Sequence, residues 1–208
     1  SAWGLRPEAL TPVYGLSEAA LAVTFGRASN RFQSTTFEPS ALERGEVVAA
    51  ETGTTLASVG SALPGFGVQI RTTEGEVLPP DRMGQIHVSG PSLMAGYLDD
   101  TPSPIAEGWL QTGDLGFVHN DELYVTGRAK DILVIRGKNH APQDVEQALD
   151  TVDGVRTGCA AAVADIGEAG EQLLVFVEHR KDPTEDLTER CRTAIRGATG
   201  LDPDLVVA

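Results

Sequence analysis

Residues 108 to 146 constrain this chain more than any other stretch: Gly-Trp-Leu-Gln-Thr-Gly-Asp-Leu-Gly-Phe-Val-His-Asn-Asp-Glu-Leu-Tyr-Val-Thr-Gly-Arg-Ala-Lys-Asp-Ile-Leu-Val-Ile-Arg-Gly-Lys-Asn-His-Ala-Pro-Gln-Asp-Val-Glu. Leu115 to Val118 and Glu122 to Thr126 are apolar-rich strands, and His119-Asn120-Asp121 between them is turn chemistry. A chain folded back at Asn120-Asp121 brings position 114 beside 127 and 128, because cross-strand partners keep a nearly constant index sum. Asp114 and Arg128 are therefore expected at the same end of one hairpin. Each stands next to a glycine, Gly113 or Gly127, that lets a ligand approach the backbone. A carboxylate beside a guanidinium is either a plain ion pair or a pair that holds a ligand, and local pattern leaves both open.

Thr112-Gly113-Asp114, then Gly127-Arg128-Ala129-Lys130-Asp131, then a glycine loop leading to a helix, resemble the adenylate-forming superfamily. That group contains acyl-CoA synthetases, luciferases and the adenylation domains of peptide synthetases. The resemblance implies that Asp114 holds the ribose hydroxyls of ATP and of the acyl-adenylate, and that Arg128 helps. It also implies that Lys130 is the hinge between a large domain and a small mobile one.

Val13-Tyr14-Gly15-Leu16-Ser17-Glu18 reads locally as a short strand into Tyr14, a glycine turn, and a helix beginning near Ser17, which suits an N-cap. Capping alone accounts for that serine, although a helix start also suits a phosphate. Tyr-Gly-Leu-Ser-Glu further resembles the superfamily's Tyr-Gly-x-Thr/Ser-Glu motif. On that resemblance Tyr14 and Gly15 belong to the nucleotide site, with the aromatic against adenine. Ser17 contacts the α-phosphate, and Glu18 binds Mg2+, a hard cation that needs an oxygen ligand.

Residues 25 to 58 separate this motif from Val59-Gly60-Ser61-Ala62-Leu63-Pro64-Gly65 by more chain than common CoA ligases use. Arg27 to Ser34 is polar, Phe37 to Leu42 reads as an extended piece with a turn, and Val47 to Ala50 is a short apolar run. The segment is either a tolerated surface loop or, by resemblance, the insertion that marks fatty acyl-AMP ligases and restrains their small domain. Phe32, Phe37, Leu42, Val47 and Val48 are its apolar anchors.

From 59 to 107, Val68 to Arg71 and Gly84 to Gly90 alternate as strands, with turns at Glu74-Gly75 and Pro79-Pro80-Asp81. His87 is expected to face solvent. Gly90 to Leu98 resembles another superfamily motif, expected to serve packing and orientation without chemistry. Beyond the hinge the expected order is β-α-β-β-α-β, a small α+β domain. Its parts are a buried strand Ile132 to Ile135, a loop Gly137 to His140, and a helix from Pro142 with Val145, Ala148 and Leu149 inward. Strands over Gly158 to Ala164 and Gln172 to Glu178 follow. A helix over Thr184 to Ala198 carries Leu187, Cys191, Ile195 and Ala198 on one face, and a strand begins at Leu205. His140 is read as an exposed loop residue and not a catalyst.

The expected fold class is α+β. Residues 1–128 form the end of a large adenylation domain, with the insertion at about 25–58 and a small antiparallel β subdomain at about 59–128. Residues 129–208 form the small domain. The chain has 208 residues and a formal charge of −14, which argues against a nucleic-acid partner despite the local cluster Arg128, Lys130, Arg136 and Lys138. No stretch is long and apolar enough for a transmembrane segment and no signal peptide opens the sequence. Cys159 and Cys191 sit in apolar contexts and read as core residues; a disulfide between them stays open but has no support in the sequence, so a cytoplasmic setting is expected.

Two parts of the superfamily pattern are missing. No Gly/Ser/Thr-rich phosphate loop is present, and the sequence reaches Ala208 before the Pro-Lys-Thr/Ser-x-Gly-Lys segment that carries the family's catalytic lysine. Nothing in the chain, Lys138 and Lys181 included, replaces that lysine. The resemblance implies the C-terminal portion of a fatty acyl-AMP ligase, inactive by itself. The whole enzyme would use ATP and Mg2+ to turn a fatty acid into an acyl-adenylate, for transfer to the phosphopantetheine thiol of an acyl carrier protein. The alternatives are a CoA-forming acyl-CoA synthetase and a non-catalytic module that binds adenylate or carrier.

Overall fold

Runs with alternating apolar residues, such as Val68 to Arg71 and Gly84 to Ser89, form antiparallel strands in the first part of the chain. The structure, a computed structural model, describes residues 4, 6–26, 33–98, 102–135, 138–167, 170–179 and 186–208. Expectations placed on Arg27, Phe32, Arg136, Gly137 and Lys181 lie outside those residues. The chain divides into two compact units, Ser1–Ala129 and Lys130–Ala208.

In the first unit β1 (Val13–Tyr14) pairs with β2 (Thr24–Phe25), and β3 (Ser34–Phe37) leads into α1 (Pro39–Glu43) and β4 (Thr54–Ala57). β5 (Ser61–Ala62) joins β2, and β4 pairs antiparallel with β3. β6 (Gly67–Arg71), β7 (Gly84–Ser89), β8 (Ile105–Ala106), β9 (Trp109–His119) and β10 (Glu122–Arg128) make one antiparallel sheet, ordered β10-β9-β7-β6 with β8 on β9. Ile70, Ile86, Val88 and Leu123 point from this sheet into a core shared with Tyr14, Ala19 and Val23.

The hairpin forms where the turn residues predict. Asn120 and Asp121 both take positive φ (51° and 62°), the pairing of a two-residue turn whose twist matches its strands. From His119↔Glu122 to Gly116↔Val125 the register follows the expected sum, then slips by one at Thr126. That bulge sets Arg128 directly opposite Asp114.

Residues 33–58, before Val59, are not a loose loop. Phe37 is fully buried, with ring centroids 5.0 Å from Phe117, 5.4 Å from Tyr124 and 5.5 Å from His119. Leu42, Val47 and Leu56 pack against this cluster, while Val48, expected as an anchor, is exposed. Val47 N–H donates to Asp81 and Met83 N–H to Gly45, which fastens the segment to the turn before β7. The extended reading of Phe37 to Leu42 needs correction, because Pro39, fixed at a helical φ in the first turn, starts α1.

His87 also departs from expectation. It is buried on the sheet face opposite Ile86 and Val88, between Gln69 and Gln111 on the flanking strands. Strand alternation predicts a face, and solvent reaches a face only where nothing covers it.

In the second unit β11 (Leu133–Ile135) pairs antiparallel with β12 (Lys138–His140), so residues 138–140 of the expected loop form a strand. α2 (Pro142–Leu149) starts on its proline and buries Val145, Ala148 and Leu149. β13 (Val155–Gly167) and β14 (Gly170–His179) are longer than their apolar cores suggest, because backbone pairing extends past the buried residues. α3 (Leu187–Thr199) buries Leu187, Cys191 and Ile195, but Ala198 is exposed, and β15 (Leu205–Val207) runs parallel to β14. Among the described residues the order is β-β-α-β-β-α-β, one strand more than expected. Cys159 and Cys191 are free thiols, Cys191 buried and Cys159 half-buried. Among the described residues, no helix is long and apolar enough to cross a membrane.

Candidate functional site

Asp114 is the junction of three separate pieces of chain. Arg128 Nε donates to its Oδ1 at 3.1 Å from across the hairpin, and the Tyr14 hydroxyl donates to its Oδ2 at 2.6 Å from the end of β1. The Asp114 backbone N–H donates to Thr112 Oγ1, while the Thr112 hydroxyl donates to the carbonyl of Ile86 on β7. Each carboxylate oxygen accepts one bond from these partners and has a second lone pair for a ligand hydroxyl.

Burial separates the roles. The Asp114 side chain is 14% exposed and that of Arg128 67%. A pair with one partner so open to water contributes about 0–1 kcal/mol to stability, so the ion pair is a weak reason for this arrangement. Tyr14 is different: it is buried in the core and reaches Asp114 only with its hydroxyl. Burial, and then the hydrogen bond to the Asp114 carboxylate, hold its phenol well above the ordinary tyrosine range. Tyr14 is thus a neutral donor that orients the carboxylate without cancelling its charge.

After Tyr14 the chain turns sharply. Ser17–Ala19 is a single 3-10 turn, its N-cap position is Leu16, and no side chain caps it. The expected longer helix with Ser17 as N-cap does not form, since Ala20 and Leu21 adopt positive φ (55° and 97°) and end the turn. Leu21 N–H then bonds to Leu16 and Val23 N–H to Tyr14, folding the loop back over Gly15. A Cβ on Gly15 would stand 1.4 Å from the Leu21 carbonyl oxygen. Glycine is required here by the chain's own backbone. Ser17 is exposed at the turn, with Glu18 half-buried beside it.

A strap over residues 90–98 holds this turn from the other side. Ser92 Oγ donates to the Ala19 carbonyl at 2.7 Å, Met94 N–H to the Glu18 carbonyl at 2.8 Å, and the Tyr97 hydroxyl to Glu18 Oε1 at 3.0 Å. Thr112 had a readable signal, a threonine two residues before an aspartate that can bond its backbone. Tyr97 had none in its local sequence. Among the described residues no three acidic, histidine or cysteine side chains cluster as a metal cage. The Glu18 carboxylate is a hard oxygen donor of the kind Mg2+ takes. Lys130 is the first residue of the second unit, and His140 is half-buried on β12.

The model of the AMP-binding enzyme family matches residues 2–98, the portion that carries Tyr14, Ser17 and Glu18. Over those residues the chain is similar to the AMP-binding enzyme family. Long-chain-fatty-acid–AMP ligase FadD26 of Mycobacterium tuberculosis is 31% identical over 221 residues, covering 95% of this chain and 37% of that protein. Medium-chain-fatty-acid–[acyl-carrier-protein] ligase JamA of Moorena producens is 34% identical over 208 residues, covering 90% of this chain and 35% of that protein. A solved structure from studies of fatty acyl-adenylate ligases of E. coli and L. pneumophila superposes with a TM-score of 0.88 at 33% identity. It covers 98% of this chain and 38% of that one. The chain spans just over a third of the length of these AMP-binding relatives.

Proposed function

We propose that this chain is the C-terminal portion of a fatty acyl-AMP ligase, with residues 1–128 ending its large domain and 129–208 belonging to its small one. The observation that carries the reading is the Tyr14–Asp114–Arg128 constellation, assembled within one unit beside the turn that bears Ser17 and Glu18. The names of FadD26, JamA and the superposed structure support it.

In this reading a fatty acid carboxylate attacks the α-phosphorus of ATP, pyrophosphate leaves, and an acyl-adenylate remains. Asp114 accepts the ribose hydroxyls, with Arg128 at its edge and Tyr14 fixing its orientation. Gly15 keeps the turn tight, and exposed Ser17 contacts the α-phosphate. Mg2+, held by Glu18, would neutralise phosphate charge. The protein's contribution is positioning and electrostatics rather than covalent chemistry. Lys130 is the hinge about which the small domain turns between adenylation and transfer. The acyl group then passes to the phosphopantetheine thiol of an acyl carrier protein in the cytoplasm, a setting consistent with free thiols at Cys159 and Cys191.

The test uses the complete enzyme with a fatty acid, ATP and Mg2+, offered CoA or holo carrier protein, with products followed by mass spectrometry. Acyl-AMP with transfer only to the carrier is expected. Rapid acyl-CoA formation would assign the chain to a CoA ligase, and no adenylate with any acid would assign it to a binding module. Asp114→Ala should weaken ATP binding and adenylation strongly; near-normal activity would remove the ribose assignment.

A further inference from the structure

Glu18 is a lone carboxylate on a three-residue turn, and a free glutamate side chain loses much rotamer freedom when a ligand fixes it. Here the Tyr97 hydroxyl already holds Oε1 at 3.0 Å, from 79 positions further along the chain. Tyr97 arrives on the strap whose Ser92 and Met94 hold the neighbouring carbonyls of Ala19 and Glu18, and whose Leu93 packs against the core cluster that contains Tyr14 and Ala19. Backbone and side chain of Glu18 are therefore held by the same segment.

We propose that Tyr97 is a positioning residue for the divalent cation: it holds the Glu18 carboxylate in its cation-binding orientation. The inference rests on the reading of Glu18 as the cation's protein ligand. The donor chemistry fits that ligand. A neutral hydroxyl orients one carboxylate oxygen, leaves the other for the metal and keeps the full negative charge, whereas a lysine or arginine there would oppose the cation. Partners that fix a ligand's orientation in this way raise metal affinity without touching the metal. Ordering the side chain before binding reduces the entropy lost on binding.

The test is Mn2+ binding by the complete enzyme with α,β-methylene-ATP, whose α–β bond cannot be cleaved, read from the free-Mn2+ signal in electron paramagnetic resonance. Tyr97→Phe keeps the ring and removes only the donor. It should raise the Mn2+ dissociation constant roughly tenfold, the scale of one hydrogen bond to a charged acceptor. The thermal midpoint and the affinity for the nucleotide without metal should stay unchanged. Unaltered Mn2+ affinity in Tyr97→Phe, with weakened affinity in Glu18→Gln, would overturn the role of Tyr97 and leave Glu18 as the ligand. Unaltered affinity in both variants would remove the Glu18 assignment and the inference with it. A Tyr97→Phe enzyme that loses metal-free nucleotide affinity equally would show a structural role and also overturn the proposal.

Discussion

The Tyr14 hydroxyl donates to Asp114 Oδ2 at 2.6 Å, joining two motifs that lie 100 residues apart in the chain. Because Tyr14 is buried and Asp114 is its acceptor, the phenol is protected from ionisation by desolvation first and by the neighbouring negative charge second. Its pKa in the fold lies above the unfolded value of about 10. Its contribution to stability is complete below pH 10 and is lost as pH rises through the raised folded value. The spectral difference between wild type and Tyr14→Phe at 295 nm should therefore show no phenolate until alkali opens the fold. A normal titration near pH 10 would mean that Tyr14 is solvated.

Thr126 is the extra residue that brings Arg128 opposite Asp114. Deleting Thr126 should remove the bulge and keep Gly127 opposite Leu115 and Arg128 opposite Asp114. Nucleotide binding should therefore be kept in the deletion variant, while Arg128→Ala weakens it about tenfold, the scale of one charge-assisted bond, and circular dichroism still reports a folded sheet in both. Isothermal titration with ATP would check both variants.

His87 is buried with its Nε2 atom unpartnered, and burial first, then the nearby Arg71 charge, lower its pKa. The folded protein thus resists the proton that the unfolded chain accepts at the ordinary histidine value of about 6.5. Stability should decline as pH falls below about 6.5. His87→Gln should flatten that part of the profile, measured by urea denaturation between pH 7 and 5.

Phe37 joins the segment over 34–57 to Phe117 and Tyr124 on the hairpin that carries Asp114 and Arg128 at its open end. Phe37→Ala should cost about 3–5 kcal/mol, as expected for a fully buried aromatic. The segment over 34–57 should become the first site of proteolysis. In the complete enzyme, removing about residues 28–52 should raise acyl-CoA formation if the insertion acts against CoA; no gain in a folded protein would make the segment a structural brace only.

Turn residues and index arithmetic were enough to bring Asp114 to Arg128, since a hairpin is a local structure and Asn120-Asp121 favours one kind of turn. The motif spacing placed Ser17 and Glu18 beside Tyr14 for the same reason. The strands of the second unit other than β12, and the apolar faces of α2 and α3 apart from Ala198, were also legible, because period-two and helical patterns record which side is buried. The one-residue slip at Thr126 was not: a bulge costs little locally and is selected by the strands on either side. Nor could the chain's pattern show that His87 is covered, that Phe37 is locked among aromatic rings, or that Tyr97 reaches Glu18. Each of these depends on contacts between segments tens of residues apart, which only the assembled tertiary structure creates.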